Sequence, residues 1–95
     1  MHVISRKALQ QFWELHPDSK TALVRWFQIV RRTTFKDFAS LRRTFPTADL
    51  VDRFTVFNIA GNKYRLVASI HFNRGKIYIR HVLTHREYDK GAWKQ

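Results

Sequence analysis

The strongest periodic signal in the chain is a two-residue alternation of apolar and polar positions between residues 54 and 84. Three runs rich in β-branched and aromatic residues, 54–59, 64–72 and 77–84, are separated by short turns and predict three antiparallel strands. Gly61-Asn62 supplies the positive φ that a tight hairpin needs, and a second turn falls around Arg74-Gly75. If each turn closes through its two central residues, Ile59 faces Tyr64 and Phe57 faces Leu66. In the second hairpin Phe72 then faces Ile77, Ile70 faces Ile79, Ala68 faces His81 and Leu66 faces Leu83. One face of the sheet collects Phe57, Ile59, Tyr64, Leu66, Ala68, Ile70, Phe72, Ile77, Ile79 and Leu83, which predicts a core, with His81 as a buried histidine among them. The opposite face carries Val56, Asn58, Arg65, Val67, Ser69, His71, Tyr78, Arg80, Val82 and Thr84. Asn58, Arg65 and Thr84 are expected side by side across the three strands, and this polar face is the place for chemistry.

The N-terminal half has a helical period instead. Residues 1–4 suit a very short strand at a sheet edge. Ser5 is a candidate N-cap for a helix reaching residue 16, with Ala8, Leu9, Phe12, Trp13 and Leu15 on its apolar face. Pro17 ends that helix, because the residue before a proline is pushed out of the α region. Asp18 or Ser19 then caps a second helix to residue 32, whose stripe is Leu23, Phe27 and Val30 flanked by Trp26 and Ile29. A connection this short predicts a helical hairpin lying on one face of the sheet. A further helical stretch is expected over 36–43, docking through Phe38 and Leu41. Phe45-Pro46 stops it, and 47–52 reads as loop. Beyond Thr84, residues 85–89 suit one helical turn, and Lys90-Gly91 opens a tail in which Trp93 packs back. The fold class is α+β, a single domain over residues 1–95.

Composition sharpens this picture through charge. Eighteen Lys and Arg stand against seven Asp and Glu, a formal net charge of +11. Such a balance points to a polyanionic partner, nucleic acid first and an acidic protein second. The chain has no cysteine, so it has neither disulfides nor thiolate metal ligands, as suits a reducing cytoplasm. No run of 18 apolar residues implies a membrane span, and residues 1–9 lack the apolar core of a secretory signal.

Most catalytic schemes find no ligands here. The five histidines are badly spaced for a metal: His71 and His81 fall on opposite faces, while His81 and His85 are four apart at a strand end. No phosphate-binding loop, nucleophile elbow or HExxH pattern occurs, and the polar face has no paired carboxylates. What remains is an arrangement of Arg, His, Tyr and Lys. Such groups can cleave RNA without a metal, because the substrate's own 2′-OH is the nucleophile. The protein need supply only a base, an acid and positive charge on the phosphate. His85 suits either proton role, Arg65 can grip a phosphate bidentately, and Tyr88 can orient the nucleophile, pass a proton or stack on a base. From the residues alone, Arg65 is equally readable as a solvated side chain, His85 as a cap or surface residue, and Tyr88 as the rim of the core.

The segments VFNIAGNKYRLV (56–67) and IYIRHVLTHREYDK (77–90) closely resemble the HigB family of the RelE-like toxins. MHVISRKALQQF, FKDFASLRRTFPTAD and the terminal tryptophan resemble it as well, so the likeness covers nearly the whole chain. The resemblance implies a cytoplasmic endoribonuclease that cuts messenger RNA on the translating ribosome, without metal or cofactor, partnered by a HigA-type antitoxin carrying a helix-turn-helix. Carried onto matching positions, it implies phosphate contact by Arg65 and catalysis by His85 and Tyr88. Lys63 and Arg80 become RNA contacts, to which Asn58, Arg86 and Lys90 are added from the same strands and turn. The wider superfamily often has lysine or arginine where His85 stands, which leaves the acid and base roles open. Two other readings are a non-catalytic RNA-binding module and a degenerate toxin acting only through its antitoxin as co-repressor.

Overall fold

The computed structural model describes residues 1–94. Five strands form one mixed sheet in the order β1-β5-β4-β3-β2. They are β1 (His2–Ile4), β2 (Asp49–Val51), β3 (Phe54–Ile59), β4 (Tyr64–His71) and β5 (Lys76–Thr84). β1 runs parallel to β5 at one edge, and the remaining pairs are antiparallel. Helices α1 (Lys7–Leu15) and α2 (Lys20–Arg32) form the expected hairpin. Leu9 and Phe12 of α1, with Leu23, Trp26 and Val30 of α2, join Phe57, Leu66, Ala68, Ile77 and Ile79 of the sheet in one buried cluster. Phe27, expected at the centre of the α2 stripe, is only half-buried, and Trp26 takes its place in the core.

The helix starts differ from the sequence expectation. Ser5 does not cap α1: its φ is 72°, and the helix begins with no side-chain cap. Neither Asp18 nor Ser19 caps α2 through a side chain, since Pro17–Ser19 forms a 3₁₀ turn that feeds the helix directly. Ser19 Oγ instead donates to the carbonyl of His16 at 2.7 Å. Asp18 reaches across to the sheet, accepting from Tyr64 Oη at 2.6 Å and Lys63 Nζ at 2.9 Å. These bonds, that of Tyr64 first, hold the Asp18 carboxyl below its ordinary pKa, and the same bond holds the Tyr64 phenol above its own. A lowered carboxyl pKa stabilises the fold above the unfolded value of about 3.9, and that contribution is lost as pH falls through the folded value. The raised phenol pKa sets the other limit, because its contribution disappears above about pH 10. Asp18→Ala should therefore melt below the wild type at pH 7, with the gap closing as pH falls to 2. Melting curves at both pH values check this, and a gap that stays constant would show that the carboxylate is not the stabilising group.

Helix α3 (Phe38–Thr44) is fixed by a capping box in which Asp37 accepts from the Ser40 N–H at 2.8 Å. Leu41 is fully buried, Phe38 is half-buried, and Phe45 ends the helix. The stretch expected to be loop contains β2, which pairs with the start of β3 so that Asp49 faces Val56. Three residues are too short for an alternation to show.

The largest correction concerns the β4–β5 register. The first hairpin pairs as expected, with Ile59 opposite Tyr64 and Asn58 opposite Arg65. The second closes one residue earlier: a 3₁₀ turn takes up Phe72–Arg74, Gly75 adopts φ 64°, and His71 faces Lys76. Ile70 therefore faces Ile77 and Ala68 faces Ile79. A β-bulge then leaves Arg80 without a partner, so that Val67 faces His81, Leu66 faces Val82, Arg65 faces Leu83 and Tyr64 faces Thr84. Beyond the bulge every side chain of β5 sits on the face opposite to the one expected. Val82 packs on the main core, and Leu83 and His81 lie on the Arg65 face. His81 is thus not a buried core histidine, and Thr84 does not line up with Arg65. Nor is that face simply polar. Val56 and Val67 are buried there with Phe54 and Trp93 in a second, smaller cluster, edged by Leu83 and Tyr88.

Candidate active site

Arg65, the second residue of β4, is not a solvated side chain. It is only 8 % exposed, and its guanidinium turns back to the β3–β4 turn. Nη1 donates to the carbonyls of Asn62 and Tyr64, both at 3.1 Å, and Nη2 reaches Asn62 Oδ1 at 3.4 Å. An arginine has five N–H donors. The Nε–H and one Nη2–H find no partner among the described residues. The guanidinium carbon lies 5.5 Å from the centre of the Tyr88 ring, a cation–π contact that fixes both groups.

Tyr88 reaches this position because α4 (His85–Lys90) starts where β5 ends. A capping box makes the break sharp: Thr84 Oγ1 accepts from the Glu87 N–H at 3.1 Å, and Glu87 Oε1 accepts from the Thr84 N–H at 2.9 Å. The pattern T-H-R-E in the sequence is its signature. Gly91, at φ 76°, ends the helix in the left-handed conformation that glycine adopts without a Cβ clash. The chain then returns so that Trp93 stacks on Tyr88, with ring centres 5.1 Å apart and planes 14° from parallel. Trp93 Nε1 also donates to the Tyr88 carbonyl at 3.0 Å, and the far edge of the indole meets Phe54. Burial raises the Tyr88 pKa, and Asp49 on neighbouring β2 pushes the same way, while Arg65 opposes. The phenol, protonated at neutral pH even at its ordinary value, is available as a donor.

His85 opens α4. Its backbone N–H donates to the Lys63 carbonyl at 3.0 Å, tying the helix start to the turn that also holds Arg65. Its Nδ1 lies 2.8 Å from Asp89 Oδ2, one helical turn on, and the ring is half-exposed. With Nδ1 held by the carboxylate, Nε2 is left for a substrate.

One end of the sheet thus brings together Arg65, His85 and Tyr88, with Lys63 and Asn58 beside them. Lys63 is paired with Asp18 on the outer side of the turn, and Asn58 is exposed opposite Arg65. Arg86 and Lys90 are exposed on α4. Arg80 stands apart, nearer the other end of the sheet, where its Nε donates to Ser69 Oγ at 3.1 Å and its guanidinium covers the Tyr78 ring. Sequence reasoning missed Asp89, Asn62 and Asp49. Asp89 was detectable as the i+4 partner of His85 on a helix. Asn62 and Asp49 needed the turn geometry and β2, which leave no comparable mark. Among the described residues no three His, Cys, Asp or Glu side chains come together as a metal site, and no helix is long and apolar enough to cross a membrane.

Comparison with known proteins gives the family. The HigB toxin family model, a "RelE-like toxic component of a toxin-antitoxin system", matches residues 19–91. The mRNA interferase toxin HigB of Escherichia coli K12 is 42 % identical over 92 residues, covering 94 % of this chain and 88 % of its own. The mRNA interferase HigB of Shigella flexneri gives the same identity and coverage. The mRNA interferase HigB of Escherichia coli O6:H1 is 28 % identical over 93 residues, covering 95 % of this chain and 90 % of its own. A family match over most of the chain, joined to relatives this similar along nearly all of it, shows that the chain belongs to the HigB family of RelE-like toxins.

Proposed function

We propose that this protein is an endoribonuclease that silences translation by cutting messenger RNA in the cytoplasm, on the translating ribosome, and that a HigA-type helix-turn-helix antitoxin restrains it. The observation that carries the reading is the Arg65–Tyr88 contact, with the guanidinium 5.5 Å from the ring and His85 one helical turn away. A phosphate placed there meets positive charge and two proton-transfer groups in one small volume.

In the chemistry this arrangement supports, the 2′-oxygen of the nucleotide before the break attacks the adjacent phosphorus. The P–O5′ bond breaks, and a 2′,3′-cyclic phosphate and a 5′-hydroxyl result. Arg65 holds the phosphate through its Nε–H and remaining Nη2–H, which stabilise the charge that builds on the pentacoordinate phosphorus. His85, oriented by Asp89, takes the 2′ proton on Nε2. Tyr88, protonated at neutral pH as a phenol is, gives its proton to the departing 5′-oxygen. Lys63, Asn58, Arg86 and Lys90 flank this point as contacts to the strand.

Expression with and without the antitoxin tests the function. Growth arrest with new 5′ ends mapped inside messages supports it, and arrest with intact messages would refute it. A second expectation concerns metal. The nucleophile belongs to the RNA and the protein groups are organic, so cleavage should continue in excess EDTA. Bare RNA, or a preassembled and stabilised ribosomal complex, separates this from the ribosome's own need for magnesium. Cleavage of bare RNA that returns only on adding one divalent metal would contradict the scheme.

A further inference from the structure

The bulge at Arg80 has no part in the chemistry above, yet it changes what the site face displays. With one extra residue in β5, His81 turns to the same face as Val67 and Arg65, and Arg80 itself is left out of the ladder. Bulges re-aim side chains in this way beside functional sites. His81 and Arg80 there join Arg53, Phe54, Ser69 and Trp93 around a hollow of about 370 Å³. Trp93 is the partition between this hollow and the catalytic end: it stacks on Tyr88 and meets Phe54 edge-on at 5.7 Å.

The charges in the hollow are one-sided. Arg53 lies over the Phe54 ring at 4.9 Å and Arg80 over the Tyr78 ring at 5.2 Å. Neither forms a salt bridge with a carboxylate among the described residues. Two guanidinium groups on one small cavity, each braced against an aromatic ring, repel one another until an anion lies between them. The His81 imidazole on the same wall offers a ring on which a base can stack, while Trp93, stacked on Tyr88 and covered by Lys94 Nζ at 5.6 Å from its ring centre, backs the hollow. A second hollow of about 420 Å³ shares His81 and Trp93 and is lined further by Leu83, Glu87, Lys90 and Ala92.

We propose that this hollow is a second nucleotide subsite, next to the catalytic one along the RNA strand. One phosphate lies between Arg53 and Arg80, and its base lies against His81. The inference rests on the endoribonuclease reading and extends it to Arg53 and His81, which act in recognition rather than in bond breaking.

A titration of the full chain with a single-stranded oligoribonucleotide of five nucleotides tests this. Tyr88→Phe is the background, because it removes the hydroxyl and keeps the ring against Trp93. Two groups of NMR signals are followed: the amides of Arg65 and His85, and the amides of Arg53, Ser69 and His81 with the Trp93 indole N–H. Both groups should shift along one saturation curve. Arg53→Gln, at an exposed position, should melt like its parent and bind the RNA roughly tenfold more weakly, as loss of one charge-assisted contact predicts. Its slope of log K against log salt should flatten by about 0.7, one single-strand phosphate contact. Shifts at Arg65 and His85 alone, or an Arg53→Gln protein with unchanged affinity and slope, would overturn the subsite and leave the catalytic reading standing. Shifts at the Arg53 group alone would keep the subsite and remove the catalytic reading. No shift in either group would overturn both.

Discussion

Arg65→Lys should lower messenger RNA cleavage by about two to three orders of magnitude, the usual cost of losing one oriented donor to transition-state charge. Lysine keeps the charge but cannot present two fixed N–H groups to a phosphate. Alanine is the poorer test, because Arg65 also holds the turn. Its removal takes a donor from the carbonyls of Asn62, at the exposed turn, and Tyr64, where the buried bond is worth about 1–3 kcal/mol if left unmade. Lysine limits that damage, and thermal unfolding of both proteins separates folding from catalysis. A well-folded Arg65→Lys protein that cuts at the wild-type rate would remove the guanidinium from the mechanism.

Trp93→Ala should cost about 3–5 kcal/mol of stability, the range for emptying a buried tryptophan site. Trp93 is 5 % exposed and, among the described residues after Lys90, is the one that joins the second cluster. In a chain of 95 residues this corresponds to a fall in Tm of tens of degrees. Trp93→Phe separates its two roles, since it keeps an aromatic surface beneath Tyr88 and loses the Nε1 bond at a cost of about 1 kcal/mol. The phenylalanine variant should stay folded at growth temperature with cleavage reduced by the looser hold on Tyr88. Calorimetry with a cleavage assay on both variants checks the pair. An alanine variant as stable as the wild type would mean that the tail does not support the site.

The elements that were legible in the sequence are those with a local signature. The β3–β4 hairpin could be registered because Gly61-Asn62 marks its turn and Phe57, Ile59, Tyr64 and Leu66 alternate on both sides of it. The helical hairpin was visible in its apolar period and in Pro17, and α4 in the break of the alternation after Thr84. The β4–β5 hairpin was misread because its turn is a 3₁₀ segment closing on Gly75, and Arg74-Gly75 is not its centre. The error hid itself: Val82 and Leu83 are both apolar, so exchanging their faces leaves the hydrophobic pattern intact. The bulge at Arg80 has no sequence mark, and with it went the placement of His81. Arg65, His85 and Tyr88 were chosen as candidates by residue type and family likeness. What fixes them was less visible. Asn62 comes under the guanidinium only through the turn geometry, and Asp89 comes behind the imidazole only once α4 runs past it. Trp93, expected to pack back, carries no mark of Tyr88 as the ring it meets.

The most direct measurement is the chemistry of the RNA ends. Wild-type protein is given a message in translating ribosomes, in two forms that differ only in a 2′-deoxynucleotide just before the mapped break. The account predicts that the all-ribose message yields a 2′,3′-cyclic phosphate and a 5′-hydroxyl, and that the deoxy message is not cut at that position. Cleavage of the deoxy message there, or a 5′-phosphate on the downstream product, would contradict it.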